Sequence, residues 1–181
     1  MAVQLDMSTT PFRRKRGRLW QPSLAALLLL LLGHEAAVAD TATGVAYMKQ
    51  GMYLRALIEF EEPAKAGDAV AESNLGAIYY YGLGVSANFA KAAQYYHAAA
   101  LKGNLDAQLG LGVIYTTGQG VPPSFPLARM WLSIAAEAMP PSPDRIRVTQ
   151  TRDAIATKMS AAELKQSDDL IAAWYARHVA P

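Results

Sequence analysis

The chain has 181 residues, 17 Lys/Arg against 15 Asp/Glu, and no cysteine. That length suits one domain of ordinary size, and the absence of thiols excludes disulfide stapling and thiolate-held structural zinc. Five of the 17 basic and two of the 15 acidic side chains precede Asp40, so the remainder carries −1 and offers no basic patch for nucleic acid.

The first 39 residues have the order of an export signal. A basic start, Arg13-Arg14-Lys15-Arg16 and Arg18, is followed by an apolar run, Leu24–Leu32, then Gly33 and the small-x-small triplet Ala37-Val38-Ala39. Nine residues are too short to span about 30 Å of hydrocarbon as a helix. Cleavage is therefore expected between Ala39 and Asp40, with a periplasmic or secreted product. The alternative is an N-terminal membrane anchor lengthened by Leu19 and Trp20, but Gln21-Pro22-Ser23 interrupts that segment.

Residues 40–139 are expected to form a repeat array. From Gly67 the same side chains return every 36 residues: Gly67 on Gly103, Ala71 on Ala107, Leu75-Gly76 on Leu111-Gly112, Tyr79 on Tyr115, Phe89 on Phe125, Ala92 on Ala128, Ala99-Ala100 on Ala135-Ala136. A fixed period of this size marks stacked supersecondary units, each burying its apolar face against its neighbours. Each unit reads as two helices. Asp68 and Asn104 cap the first, Asn88 and Ser124 the second, and Gly82-x-Gly84 and Gly118-x-Gly120 turn between them. Thr41–Gly67 reads as a half-matching terminal repeat, in which Tyr53, Ala56, Phe60 and Ala64 align with Phe89, Ala92, Tyr96 and Ala100. Gly76 and Gly112, inside helices, predict a close backbone approach by the partner helix. Tyr79 and either Tyr95 or Trp131 are expected in the core.

The match stops at Met139-Pro140-Pro141, and residues 140–181 read as a capping helix pair. One helix is expected over 144–158, with Ile146, Thr149, Ala154 and Ile155 on one stripe. Ser160 and Glu163 form a capping box that opens a last helix through Leu164, Leu170, Ile171 and Trp174. No segment alternates as a strand does. The reading is all-α, with about seven helices.

Ala71-x-x-x-Leu75-Gly76-x-x-Tyr79-x-x-Gly82-x-Gly84-Val85, followed by Lys91-Ala92-x-x-Tyr95-Tyr96-x-x-Ala99-Ala100-x-x-Gly103, resembles a Sel1-like repeat, and the second copy keeps most of it. The second copy departs at Pro126-Leu127 and Arg129-Met130. The resemblance implies a right-handed superhelix of antiparallel helix pairs, related to tetratricopeptide repeats. It also implies a bacterial adaptor that holds a protein or peptide, here expected in the periplasm or envelope. By analogy with tetratricopeptide arrays, the groove side of the first helix carries Val70, Ser73, Ala77, Tyr80 and Tyr81. In its copy that side carries Asp106, Leu109, Val113, Thr116 and Thr117. Ser73, Ala77, Tyr80, Tyr81, Leu109, Val113, Thr116 and Thr117 are the candidate partner-binding residues. Exposed tyrosine suits such a surface, with its apolar ring and polar tip.

No reaction chemistry is legible. His97 and His178 lie far apart in sequence, the second near the C-terminus where mobility is expected. Glu59, Glu61, Glu62, Asp168 and Asp169 read as solvated faces. No nucleophile, metal or phosphate motif occurs. No cofactor and no catalysis are expected. Two alternatives remain: an envelope enzyme resembling a cell-wall hydrolase, and a structural subunit that self-associates weakly through the repeat edge.

Overall fold

The computed structural model describes residues 41–178, which form eight helices and no strand. Helix α1 covers residues 41–49. It is followed by α2 (Tyr53–Lys65), α3 (Ala69–Tyr81), α4 (Phe89–Leu101), α5 (Leu105–Thr117), α6 (Phe125–Ala138), α7 (Pro143–Ala156) and α8 (Ala161–His178). The expected export signal and its expected cleavage point lie outside the described residues. Among the described residues no helix is long and apolar enough to cross a membrane.

The helix ends follow from the capping side chains. Asp68 accepts from the backbone N–H groups of Val70 and Ala71, both at 2.8 Å. Asn104 accepts from Ala107 at 3.0 Å, Asn88 from Lys91 at 2.9 Å and Ser124 from Leu127 at 3.4 Å. Glu163 accepts from the Ser160 N–H at 2.8 Å while Ser160 Oγ accepts from the Glu163 N–H at 3.3 Å, the reciprocal pattern of a capping box.

Successive helices from α2 to α6 pack on one another, giving an α-α superhelix. Leu75 and Leu111 are each 1% exposed, and Ile78 and Ile114 are fully buried, so the two copies bury the same positions. Each such side chain contributes roughly 1.5–3 kcal/mol relative to exposure. The α1–α2 segment continues the stack ahead of the two full hairpins. The ring of Phe60 in α2 lies 2.5 Å from where a Cβ on Gly44 of α1 would stand. The same pairing recurs as Gly76 with Tyr96 and Gly112 with Leu132, each at 2.6 Å. The glycines thus admit a side chain of the partner helix, not its backbone as expected. The close backbone approach occurs instead at Gly120 (φ 79°), where a Cβ would collide with the Phe89 carbonyl carbon and the Ala90 nitrogen. The loop of the second repeat therefore sits on the start of α4.

The tail also differs from expectation. α7 and α8 each lie against α6 and scarcely touch one another. Val148 and Met159 join Ile155 against Ala128 and Leu132, while Ile146 is 59% exposed and Ala154 is exposed. The inward stripe of α7 therefore runs through Val148 and Ile155, seven residues apart. α8 packs Leu170, Ile171 and Trp174 on Met130, Trp131 and Ile134. Arg129 of α6 donates to Ser167 Oγ at 3.0 Å and to Asp168 at 2.6 Å, tying the two helices together.

Candidate binding groove

A groove of about 460 Å³ runs between α3 and α5. Ser73, Ala77, Tyr81, Leu109 and Val113 of the expected set line it, as do Val70 and Asp106. They meet because residues four apart on a helix share a face, and the 36-residue period brings the same face of α3 and α5 side by side. Three of the large exposed apolar side chains are here: Val70, Tyr81 (68% exposed) and Val113. Ser73 is only 6% exposed and contributes little surface.

Tyr80, Thr116 and Thr117 are not in the lining. The Tyr80 hydroxyl donates to Gln119 Oε1 at 2.7 Å, and its ring meets Tyr81, Phe89 and Tyr96. Thr116 and Thr117 donate back to the carbonyls of Gly112 (2.7 Å) and Val113 (3.0 Å) within their own helix, a local bond open to a hydroxyl in a helix.

Tyr96 lines the groove although it belongs to α4. Its ring passes between α3 and α5, where Gly76 and Gly110 leave room: a Cβ on either would stand within 2.6 Å and 3.0 Å of it. Burial, with Tyr81, Tyr80 and Asp106 nearby, pushes its phenol above the usual range, so it stays neutral there. Tyr96 was not among the expected groove residues, and either Tyr95 or Trp131 was expected with Tyr79 in the core; the room for Tyr96 comes from Gly76 and Gly110, which stand on two different helices. Tyr79 and Tyr95 instead stack half-buried, 5.9 Å apart, and Trp131 is the buried one, at 2%. His178 stacks on Trp174, with ring centroids 3.7 Å apart. Among the described residues no three His, Cys, Asp or Glu side chains gather as metal ligands would.

Stacked helix hairpins that leave a lined groove define an α-helical repeat protein. The Sel1 repeat model matches residues 69–104 and 105–138, the α3–α4 and α5–α6 hairpins, so the chain carries two Sel1 repeats. Its structure is similar to that of c5321, a protective antigen of uropathogenic Escherichia coli strains displaying an SLR fold, with TM-score 0.69 and 27% identity over 77% of this chain. It is also similar to a Sel1 repeat protein from Oxalobacter formigenes, with TM-score 0.52 and 33% identity over 54% of this chain. The chain spans 30% and 40% of the length of those two proteins. No curated protein matches it. Sel1 repeat proteins generally mediate protein–protein interaction.

Proposed function

We propose that this chain is a non-catalytic scaffold that binds an extended polypeptide segment in the α3–α5 groove and works in the periplasm or envelope. The observation that carries this reading is the placement of Val70, Tyr81 and Val113, all exposed, around one groove. Exposed apolar side chains gathered together mark an interaction surface more often than the same residues scattered. Asn74, Asn104 and Asp106 add polar groups at the same place, which suits a peptide backbone better than an anionic ligand. The basic start, short apolar run and Ala37-Val38-Ala39 support export.

Selection of binders from a random peptide library on the full chain tests the groove. Peptides so obtained are expected to lose roughly tenfold or more in affinity on Tyr81→Ala or Val113→Asp, as for central interface side chains, and nothing on Ile146→Asp. Binders indifferent to both groove changes would remove the groove from the proposal. For export, a reporter active only outside the cytoplasm is expected to need residues 1–39.

A further inference from the structure

Two buried side-chain oxygens among the described residues lack a hydrogen-bond partner, Glu72 Oε2 and Gln108 Oε1. They stand at the same place in the two repeats, 36 residues apart. In the first repeat a cation sits on the other oxygen of the Glu72 carboxylate, and Oε2 stays unpaired. Lys102 Nζ reaches Glu72 Oε1 at 2.6 Å and lies 3.4 Å from where a Cβ on Gly67 would stand. In the second repeat the counterparts of Gly67, Glu72 and Lys102 are Gly103, Gln108 and Ala138. No side chain there supplies the ammonium, and a Cβ on Gly103 meets nothing within 4 Å. A cleft of about 520 Å³ opens instead, lined by these three residues and by Glu137, Trp174 and Tyr175.

Gln108 and Glu137 bring acceptor groups to the cleft, beside Lys102 and His178. Gln108 is 2% exposed, and its Nε2 donates to the Ala100 carbonyl at 3.3 Å. A carbonyl only accepts, so the amide orientation is fixed and Oε1 remains as a buried acceptor without a donor. Glu137 adds a carboxylate, which already accepts from the Tyr175 hydroxyl at 2.8 Å. Tyr175 offers aromatic surface, which attracts ammonium groups, whereas Trp174 is 9% exposed and stacked on His178. Lys102 also borders the cleft, but its charge is committed to Glu72. The Glu72 side chain is itself only 8% exposed and still takes Lys102 through Oε1.

We infer that this cleft takes the ammonium end of a lysine side chain from a partner polypeptide, seated as Lys102 is seated one repeat earlier. A neutral amide holds it where a carboxylate holds Lys102, which suits a reversible contact. The cleft shares no lining residue with the α3–α5 groove, so the two readings stand or fall separately.

The full chain can be titrated with three probes: the peptide acetyl-Ala-Ala-Lys-Ala-Ala-amide, its norleucine analogue and butylamine. The NMR signals of the Gln108 side-chain amide and the Trp174 indole report binding. The lysine peptide is expected to shift both saturably, and the norleucine analogue neither. Ala138→Lys supplies the cation from within at an exposed position and is expected to weaken peptide binding roughly tenfold or more. Gln108→Glu makes the acceptor charged and is expected to tighten it by roughly the same factor. Equal shifts from the norleucine analogue, or undiminished peptide binding by the Ala138→Lys variant, would overturn the inference. Saturation by butylamine without the peptide would overturn the polypeptide source, assigning the cleft to a small amine.

Discussion

In the first repeat, α3–α4, the outward positions are polar. Tyr79 and Tyr95 stack, and Lys91 Nζ donates to the Tyr79 hydroxyl at 2.6 Å, an arrangement that raises the Lys91 pKa. In the second repeat, α5–α6, the same three positions are Tyr115, Trp131 and Leu127. Trp131 is buried because Trp174 of α8 lies edge-on against it at 5.1 Å. The Glu72–Lys102 pair has likewise become Gln108 and Ala138. The positions that make the hairpin are copied, and those that face outward follow whatever covers each repeat. α8 covers one repeat and not the other.

Removing that cover gives the largest expected effect. Trp174→Ala opens the contact on Trp131 and Ile134, and a buried Trp truncation costs about 3–5 kcal/mol. Tyr95→Ala, at the position in the first repeat that corresponds to Trp131, removes a half-buried ring and is expected to cost about 1–2 kcal/mol. Urea unfolding of the two variants checks the order. Equal losses would mean that α8 does not distinguish the repeats.

The helical glycines sharpen the comparison next. A methyl group at Gly76 strikes the Tyr96 ring, which Gly110 confines on its other side. At Gly112 it strikes Leu132, an aliphatic chain with other rotamers open to it. Helix propensity returns up to about 1 kcal/mol to either alanine, against overpacking of about 1–3 kcal/mol. Gly76→Ala is expected to lose about 2 kcal/mol and Gly112→Ala about 1 kcal/mol or less. A reversed order in thermal melts would show that Tyr96 is free to leave its slot.

These contrasts also mark where sequence reasoning stops. The period, the caps at Asp68, Asn88, Asn104 and Ser124, and the shared burial of Leu75 and Leu111 were legible because each depends on residues within one hairpin. Ser73, Ala77, Tyr81, Leu109 and Val113 were placed on one groove face by analogy with tetratricopeptide arrays, and all five line the groove between α3 and α5. Tyr96 could not be placed there, since it enters from α4 through a gap that two glycines make only after the helices dock. Tyr80 was assigned to the groove by the same analogy, but its hydroxyl donates to Gln119, in the loop of the next repeat. The inward face of α7 was misjudged because its partners, Ala128 and Leu132, belong to a repeat whose outer surface has no earlier copy to read.

The covered end carries a pH dependence. Burial first, and the Glu137 carboxylate second, push the Tyr175 phenol up to about 12 from 10.0. A raised folded pKa favours the neutral form, so this contribution to stability is present below pH 10 and is lost as pH rises through about 12. Midpoints of urea unfolding measured across that window are expected to fall, and to fall less steeply in Tyr175→Phe, which cannot ionise. An unchanged slope in that variant would place the alkaline loss elsewhere, for which Tyr96 and Tyr115, both raised by burial, are the next groups to change.

The smallest effects belong to features the two repeats hold in common. Asn88 and Ser124 cap α4 and α6 at corresponding positions, so their loss tests whether copied local structure has copied energetics. Replacing such a cap by alanine costs about 0.5–2 kcal/mol. Asn88 bonds Lys91 at 2.9 Å, within the usual range, whereas Ser124 bonds Leu127 at 3.4 Å, beyond it. Asn88→Ala is therefore expected near 1 kcal/mol and Ser124→Ala near 0.5 kcal/mol, read from paired melts. Pro126, in the first turn of α6, supports the smaller second value, because its ring already presets the helical φ and removes one donor that would need a cap. Substituting Pro126 by alanine in the Ser124→Ala background would then raise the loss toward the Asn88 value, and failure to do so would separate the cap from the proline.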